Sequence, residues 1–306
     1  MIRARNTAAT LALISLMSAS VVAQPSASPP LFEAPARADI IGRVLIPVTV
    51  NGQGPFQFVL DTGANRTVLA PRLVSKLGLE ISPHDKITMS GVTGSASVPT
   101  VLVSKLQAGE VALERERLPV ADSLSLDTDG TLGVDALGGT RVRVDFVNRR
   151  VQIRLAHHGG SLDGLTRIPG QCRLRRLLMI GASVGRIPVA AVIDTGSQYT
   201  LANPALRARL GFRPPKEGFH PTEVIGETLA RQPGERLPVP VIRMGPVQTL
   251  SPNVVFGDFY VFKLWKLDTE PAIVVGMDLL GTLDTLLIDY ERCEMQIRTR
   301  GEGLRD

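Results

Sequence analysis

An internal repeat constrains the fold of this 306-residue chain more than any other feature of its sequence. A gapless shift of 133 positions places Asp61 on Asp194. The same shift aligns further residues of the two halves: Gly52 with Gly185, Pro55 with Pro188, Thr67 with Thr200, Pro71 with Pro204, Leu77 with Leu210 and Gly78 with Gly211. So long a period exceeds that of solenoid units. The repeat therefore predicts two homologous lobes, residues 38–158 and residues 159–300.

Most of each lobe has the pattern of β-strands. The stretch "RVLIPVTVNGQGPFQFVLDTG" carries β-branched and aromatic runs around a turn, and "TRVRVDFVNRRVQIR" alternates apolar and polar residues on both sides of "VNRR". The clearest helix signals are "APRLVSKLGL", which Pro71 can begin and Gly78 can end, and "NPALRARLGF", with Asn203 as a candidate N-cap. We expect an all-β fold with one short helix per lobe.

The N-terminal segment predicts an exported protein. Arg3 and Arg5 precede the apolar stretch "TAATLALISLMSASVVA", which ends at a spacing that signal peptidase accepts. This pattern predicts a signal peptide at residues 1–23 and a Pro/Ala/Ser-rich linker at residues 24–37. The apolar stretch is short for a bilayer, so no stable membrane span is expected, although a retained signal anchor stays open.

The charge balance gives no indication of a nucleic-acid partner. Lysine and arginine exceed aspartate and glutamate by 34 − 29 = 5, and the charges are scattered along the chain without long runs of one sign. Hydrophobic residues make up 44% of the chain, which is enough for one large domain or two modest ones.

Each lobe carries an Asp-Thr-Gly sequence directly after three apolar residues: "FVLDTGANRTVLA" at residues 58–70 and "AVIDTGSQYTLA" at residues 191–202. One such triplet is weak evidence, but two at equivalent positions of a repeat predict a shared site. If the lobes pack about a pseudo-two-fold axis, the carboxylates of Asp61 and Asp194 meet there and share one proton. Such a pair can take a proton from water and give one to a carbonyl oxygen.

The two residues after each aspartate fit a supporting role. The hydroxyls of Thr62 and Thr195 can form hydrogen bonds across the axis. Gly63 and Gly196 allow a tight turn whose backbone N–H groups face the carboxylates.

The next position differs between the lobes, with Ala64 in the first and Ser197 in the second. A serine hydroxyl can donate a hydrogen bond to the carboxylate of its own turn, and alanine cannot. We therefore expect Ser197 to hold the negative charge on Asp194, with the shared proton on Asp61.

Together with "TLGVDALGG" and "VVGMDLLGT", these motifs resemble those of retropepsin-like aspartic proteases, in particular the bacterial periplasmic type with two Asp-Thr-Gly lobes in one chain. The resemblance covers nearly all of residues 38–300. It implies two all-β lobes about a pseudo-two-fold axis, and hydrolysis of peptide bonds by water that Asp61 and Asp194 activate. No metal or cofactor is implied. Gly133 and Gly276 would lie in loops crossing behind the aspartates.

The resemblance also implies how the substrate binds. A polypeptide, which we expect to be an exported or envelope protein, would lie extended in the cleft between the lobes under two glycine-containing hairpins. Because both lobes belong to one chain, this pseudo-dimer needs no homodimer for catalysis. The candidate hairpin tips are "MSGVTGSASVP", with Val92, Thr93 and Gly94, and "TEVIGETLA", with Ile225 and Gly226.

Two other functions compete with this interpretation. "GASVG" fits the Gly-x-Ser-x-Gly pattern of serine hydrolases, and Ser183, Asp194 and His220 follow the triad order. However, a strand-like run with Pro188 follows where a nucleophile elbow requires a helix, and the first lobe has Val50 opposite Ser183. The second alternative, a non-catalytic peptide-binding module on the same fold, stays open because the geometry of the cleft decides activity.

Three remaining features carry weaker predictions. The histidines His84, His157, His158 and His220 show no metal-ligand spacing, so no metal site is expected. In an exported chain, Cys172 and Cys293 are compatible with a disulfide or with two free thiols. The second lobe alone has an aromatic cluster, which fits core packing or one wall of the cleft; its members are Phe256, Phe259, Tyr260, Phe262 and Trp265.

Overall fold

The computed structural model of the chain describes residues 34–35, 37–39, 42–122, 128–156, 164–173, 176–212, 221–249 and 252–299. Strands make up most of these residues and short helices interrupt them, which confirms the predicted all-β class. The predicted signal peptide lies outside the described residues, as do residues 24–33 of the predicted linker. Among the described residues, no helix is long and apolar enough to span a bilayer.

The structure describes eleven strands and one helix in the first half of the chain. In order they are β1 (Ala34–Pro35), β2 (Arg37–Ala38), β3 (Val44–Val50), β4 (Gln53–Leu60), β5 (Val68–Leu69), α1 (Pro71–Lys76), β6 (Ile81–Ser90), β7 (Ser95–Ala108), β8 (Val111–Pro119), β9 (Gly130–Leu132), β10 (Thr140–Asp145) and β11 (Arg150–Leu155). The end of the predicted linker therefore joins the fold, because β1 pairs with β11 and β2 with β3.

The second half has twelve strands and three helices in its described part. In order they are β12 (Thr166–Arg173), β13 (Leu177–Val184), β14 (Ile187–Ile193), β15 (Leu201–Ala202), α2 (Pro204–Leu210), β16 (Pro221–Ile225), β17 (Arg231–Pro238), β18 (Ile242–Met244), β19 (Val247–Thr249), β20 (Asn253–Phe256), α3 (Tyr260–Leu264), β21 (Ala272–Val275), α4 (Met277–Leu280), β22 (Leu283–Asp289) and β23 (Glu294–Thr299). α3 and α4 add to the single helix predicted for this lobe. α3 forms where Phe259, Phe262 and Trp265 recur at a helical spacing and are buried together.

Strand pairing repeats in the two halves, as the sequence repeat predicts. In the first half β9 lies between β4, to which it is parallel, and β5, to which it is antiparallel. In the second half β21 lies in the same way between β14 and β15. An eight-stranded sheet of the first half has the order β5-β9-β4-β3-β7-β6, with β2 and β8 attached. The halves are joined where β10 pairs with β22, so one sheet continues from the second half into the β10–β11 hairpin.

Both predicted helices form, and their ends follow the expected chemistry. α1 begins at Pro71 and buries Leu73 and Val74. In α2 the side chain of Asn203 accepts a hydrogen bond of 2.9 Å from Leu206 N–H, which confirms it as the N-cap. Gly211 ends α2 in the left-handed conformation that glycine adopts without strain, with φ of 70°.

The last strands of the second half are linked covalently to its first. β12 pairs antiparallel with β23, and Cys172 forms a disulfide with Cys293 across a Cα–Cα distance of 5.3 Å. This answers the question that the sequence left open. Apolar residues of both halves also form one core of mainly valine, leucine and isoleucine.

Candidate active site

The two Asp-Thr-Gly turns begin at equivalent strand ends. Asp61 follows β4 and Asp194 follows β14, and each of these strands is paired on both sides. The backbone N–H of Asp61 donates to Leu132 O at 3.0 Å, and that of Asp194 donates to Val275 O at 3.0 Å. Both aspartates are 5% exposed. The sheets therefore deliver one nearly buried carboxyl from each half.

Each carboxylate is held by the turn that follows it. Asp61 Oδ1 accepts hydrogen bonds from the N–H groups of Gly63 and Ala64, both at 2.8 Å. Asp194 Oδ1 accepts from Gly196 at 2.8 Å and from Ser197 at 3.1 Å. These backbone donors stabilise the ionised form of either carboxyl.

The glycines also bring the two carboxyls together. A Cβ on Gly63 would overlap the carboxylate of Asp194, and a Cβ on Gly196 would overlap that of Asp61. Each aspartate therefore packs directly against the backbone of the opposite turn, where only glycine leaves room.

The two threonines lock the halves together behind the carboxylates. Thr62 Oγ1 donates to Ile193 O at 2.7 Å and accepts from Thr195 N–H at 3.1 Å. Thr195 Oγ1 donates to Leu60 O at 2.6 Å and accepts from Thr62 N–H at 3.2 Å. Both residues are completely buried. The structure thus places their hydroxyls in bonds that cross between the halves, as the sequence suggested.

In each half, a second threonine supports the Asp-Thr-Gly turn from the segment that follows it. Thr67 Oγ1 donates to Asp135 Oδ1 at 2.7 Å and accepts from Gly133 N–H at 3.2 Å. In the second half Thr200 makes the same two bonds, to Asp278 at 2.7 Å and from Gly276 at 3.1 Å. These glycines pack against the residues just after each Asp-Thr-Gly turn, so a side chain on either would push that turn out of position.

The two predicted hairpin tips form and meet each other. Flap 1, residues 89–99, contains the turn between β6 and β7, and flap 2, residues 222–230, contains the turn between β16 and β17; each also includes adjoining strand residues. Thr93 Oγ1 donates to Ala230 O at 2.7 Å and accepts from Gly226 N–H at 3.0 Å. Flap 1 is also held by the second half, because Val261 N–H of α3 donates to Val92 O at 3.0 Å.

A cavity of about 670 Å³ lies between the flaps and the carboxylates. Asp61 and Asp194 line it, together with residues 87–92 of the first hairpin and residues 223–227 of the second. The end of α3 forms one wall through Val261, Leu264 and Trp265. Of the two roles considered for the aromatic cluster, Trp265 contributes to a wall of the cleft, whereas Phe256, Phe259 and Phe262 are buried in the core.

The surroundings of the two carboxyls differ in charge. Burial raises the pKa of Asp61, while the N–H of Gly63 and the charge of Arg43 act in the opposite direction. Burial raises the pKa of Asp194 well above its usual value, and the charge of Asp61 raises it further. Among the described residues, the charge of Arg43 acts on Asp61, so the surroundings of the pair favour ionisation of Asp61 over that of Asp194.

The sequence analysis instead placed the negative charge on Asp194, because it expected the Ser197 hydroxyl to donate to that carboxylate. The hydroxyl of Ser197 donates to Tyr199 O at 2.8 Å and is therefore not the donor to its own carboxylate. Ser197 acts through its backbone N–H, as Ala64 does in the first half. The local turn therefore gives the two carboxyls equivalent donors, and the difference arises from more distant residues.

Three residues near the carboxyls were missed by the sequence analysis: Arg43, Glu227 and Tyr290. Glu227, on flap 2, lies with Oε1 3.9 Å from Arg43 Nη1, and burial together with the Asp61 charge raises its pKa to about 7. Glu227 directly follows the flap glycine, so its position in the site was open to inference. Tyr290 stays neutral because burial and then the two aspartates raise its pKa.

The residues of the competing interpretations lie elsewhere. Ser183 is on β13 and pairs with Pro188 across the turn into β14, so a strand follows it and not the helix of a nucleophile elbow. His84 is exposed on β6, while His157, His158 and His220 lie outside the described residues. Within the described part of the chain, no group of three or more His, Cys, Asp or Glu side chains is arranged to hold a metal ion.

Two β lobes in one chain, each with a buried aspartate against the other's glycine turn, define a protein built on the plan of the two-lobed acid proteases. Comparison with known families agrees. The family model described as aspartyl protease matches residues 46–136 and again residues 180–279. The chain therefore belongs to the aspartyl protease family, and the two matches fit a pseudo-dimer within one chain. No curated protein matches the sequence significantly.

Proposed function

We propose that this protein is an aspartic endopeptidase in which Asp61 and Asp194 together activate a water molecule. One observation carries the proposal: two carboxyls from opposite halves face each other's glycine turns at the floor of a cavity that two hairpins cover. Two like charges in such a place cannot both ionise easily, so the pair keeps one proton over a range of pH.

The chemistry follows from the charge difference between the carboxyls. Ionised Asp61 takes a proton from water, and the resulting hydroxide equivalent attacks the carbonyl carbon of the scissile peptide bond. Protonated Asp194 gives its proton to the carbonyl oxygen as that oxygen becomes negative. When the tetrahedral intermediate breaks down, the C–N bond breaks, Asp61 gives the proton it took from water to the amine nitrogen, and Asp194 takes back the hydroxyl proton as the carbonyl forms again. The turn donors Gly63, Ala64, Gly196 and Ser197 keep both carboxyls in place without using their side chains.

The substrate we propose is a polypeptide in extended conformation. The cavity runs between the Asp-Thr-Gly turns and two β-hairpins, and its lining combines polar residues with apolar side chains such as Ile87, Ile225 and Trp265. An extended peptide presents N–H and C=O groups on both edges and side chains on both faces, which such a cleft can bind. With the predicted signal peptide, this favours exported or envelope proteins as substrates in the bacterial periplasm.

The test is cleavage of a denatured protein at mildly acidic pH by the purified mature chain and its variants. Asp61→Asn and Asp194→Asn keep the size of each side chain and should each lower kcat/KM by about 10²–10⁴-fold, the usual contribution of acid–base catalysis. Asp258→Asn is the matched control, since Asp258 is exposed and pairs with Lys263. Ser183→Ala should also retain activity.

Three results would contradict the proposal. Substantial activity in either dyad variant would remove that aspartate from the mechanism. Cleavage by the wild-type chain that pepstatin leaves unaffected would point to another class of hydrolase. Peptide binding without any cleavage would favour the non-catalytic binding module.

A further inference from the structure

Arg43 is the largest side chain that the described core buries completely. Its backbone N–H donates to Asp39 Oδ1 at 2.8 Å, its Nε donates to Asp39 Oδ2 at 2.7 Å, and its Nη2 lies 2.7 Å from the same oxygen. The side chain of Asp39 is also fully buried. A buried ion pair is weak evidence for stability, because desolvation opposes the attraction. The position of this cation therefore calls for a functional explanation.

The register of the first sheet places Arg43 beside the dyad. β3 pairs with β4 so that Leu45 is opposite Val59, and continuing this register by two residues places Arg43 opposite Asp61. In the second half Met179 is opposite Val192, so the same extension places Leu177 opposite Asp194. One carboxyl thus has a cation as its strand neighbour, and the other has a buried leucine.

Flap 2 contributes the third member of this group. Glu227 Oε1 lies 3.9 Å from Arg43 Nη1 and accepts a hydrogen bond of 3.4 Å from Thr131 Oγ1. Thr131 is on β9, directly before the residue whose carbonyl accepts the Asp61 N–H. The side chain of Glu227 is 27% exposed and lines the cavity. A flap residue therefore reaches the same arginine that neighbours Asp61.

We propose that Arg43 is a positioning residue that makes Asp61 the ionised member of the dyad, and that Glu227 couples flap 2 to the same charge network. This inference rests on the proposed endopeptidase function, since it concerns how the two carboxyls divide their roles. In this scheme Asp61 of the first half is the base and Asp194 of the second half is the acid, and Arg43, which lies outside both Asp-Thr-Gly turns, sets this difference.

The network predicts two separate pH effects. The charged and titratable groups that act on Asp61 are Arg43, Asp194, Glu227 and Tyr290, with Asp39 behind Arg43. At acidic pH Glu227 is neutral, so the first ionisation of the dyad depends on Arg43. Near neutral pH Glu227 ionises and its charge opposes loss of the second proton from Asp194. Arg43 thus governs the acid limb of the pH–rate profile, and Glu227 governs the alkaline limb.

The experiment measures kcat/KM against pH with a synthetic peptide substrate for the wild type, Arg43→Met, Arg43→Lys and Glu227→Gln. Without the cation, Asp61 ionises less easily, so Arg43→Met should move the acid limb to higher pH by about one unit, the lower end of the effect of a neighbouring opposite charge. Arg43→Lys keeps a charge and should restore part of the shift. Glu227→Gln removes a negative charge, so it should move the alkaline limb to lower pH and leave the acid limb in place.

Matched controls separate this role from loss of stability. Arg207→Met removes a cation that pairs with the buried Glu235, so it models loss of a buried ion pair outside the Arg43–Glu227 network, and it should leave both limbs in place. Asp258→Asn removes the charge of an exposed carboxylate that pairs with Lys263, and it should not move the alkaline limb. If Arg43→Met does not fold, Arg43→Lys and Glu227→Gln still test the network, since Glu227 is partly exposed.

An acid limb that stays in place in every folded Arg43 variant would overturn the role of Arg43. An alkaline limb that Glu227→Gln leaves in place, or raises, would overturn the role of Glu227. If either result is found while Asp61→Asn and Asp194→Asn still lose the activity of the wild type, only this inference is refuted. A wild-type chain that does not cleave would instead refute the proposed function.

Discussion

Replacing Thr62 by valine removes one hydroxyl from the junction between the two halves while keeping the shape of the side chain. That hydroxyl donates to Ile193 O at 2.7 Å and accepts from Thr195 N–H at 3.1 Å. Thr62 is completely buried, so no water can replace it at the surface. The substitution therefore leaves one carbonyl and one N–H group of the second half without their partners.

The expected loss follows from these two groups. An unsatisfied buried donor or acceptor costs about 1–3 kcal/mol, so Thr62→Val should lower the free energy of unfolding by about 2–6 kcal/mol. Thr62→Ser is the matched control, because it keeps the hydroxyl and loses one methyl group, at a cost of about 1 kcal/mol. The valine variant should therefore be about 1–5 kcal/mol less stable than the serine variant.

Urea unfolding with the disulfide intact measures this difference, and Trp265 provides the fluorescence signal. It is the only tryptophan of the chain and is 6% exposed next to the cavity, so its emission should change on unfolding. The same variants are assayed for cleavage, where Thr62→Val should lose activity because the two aspartates are no longer held together. Equal stability of the valine and serine variants would refute the argument that the crossed hydrogen bonds join the halves.

Four further outcomes are expected. Gly63→Ala places a methyl group where the carboxylate of Asp194 lies, so kcat should fall by at least about 10²-fold in steady-state assays, and a normal kcat would contradict the packing. Thr93→Val removes both hydrogen bonds between the flap tips and should raise KM by roughly fivefold for a peptide substrate, whereas an unchanged KM would show that these contacts do not order the flaps. Cys172→Ser opens the disulfide with Cys293 and should lower the free energy of unfolding by at most about 4–5 kcal/mol, which urea titration of oxidised and variant protein compares. Ser197→Ala should leave the acid limb of the pH–rate profile in place, because its hydroxyl donates to a backbone carbonyl; a shift to higher pH would restore the role first expected for it.

The sequence predicted those parts of the site that the repeat duplicates. Asp61 and Asp194 could be recognised because each follows three apolar residues at the same place in its half. Burial of those runs in sheets forces both turns to the same place in each lobe. The helix starts at Pro71 and Asn203 were also predictable, since capping and proline preferences depend on neighbouring residues only.

Contacts between distant segments were beyond the reach of local patterns. The hydrogen bonds of Thr93 to flap 2 join residues 133 and 137 positions apart. The wall that α3 forms on the cavity has the same origin, because Val261 and Leu264 belong to a segment that the repeat does not align with the first lobe. Such contacts depend on how complete lobes pack, and the apolar pattern indicates only that these residues are suited to burial.

The repeat in the sequence could not predict that the two aspartates have different charged neighbours. The shift of 133 that aligns Asp61 with Asp194 also aligns Arg43 with Arg176, so the sequences of the two halves look equivalent here. In the structure, however, Val59 is opposite Leu45 whereas its counterpart Val192 is opposite Met179, one residue beyond the aligned position. A slip of one residue moves every side chain of a strand to the other face of the sheet. Arg43 is consequently buried beside its aspartate, while Arg176 is exposed and packs against Gly138. In the proposed mechanism, one residue of register is therefore enough to give two nearly identical turns opposite roles, as base and as acid.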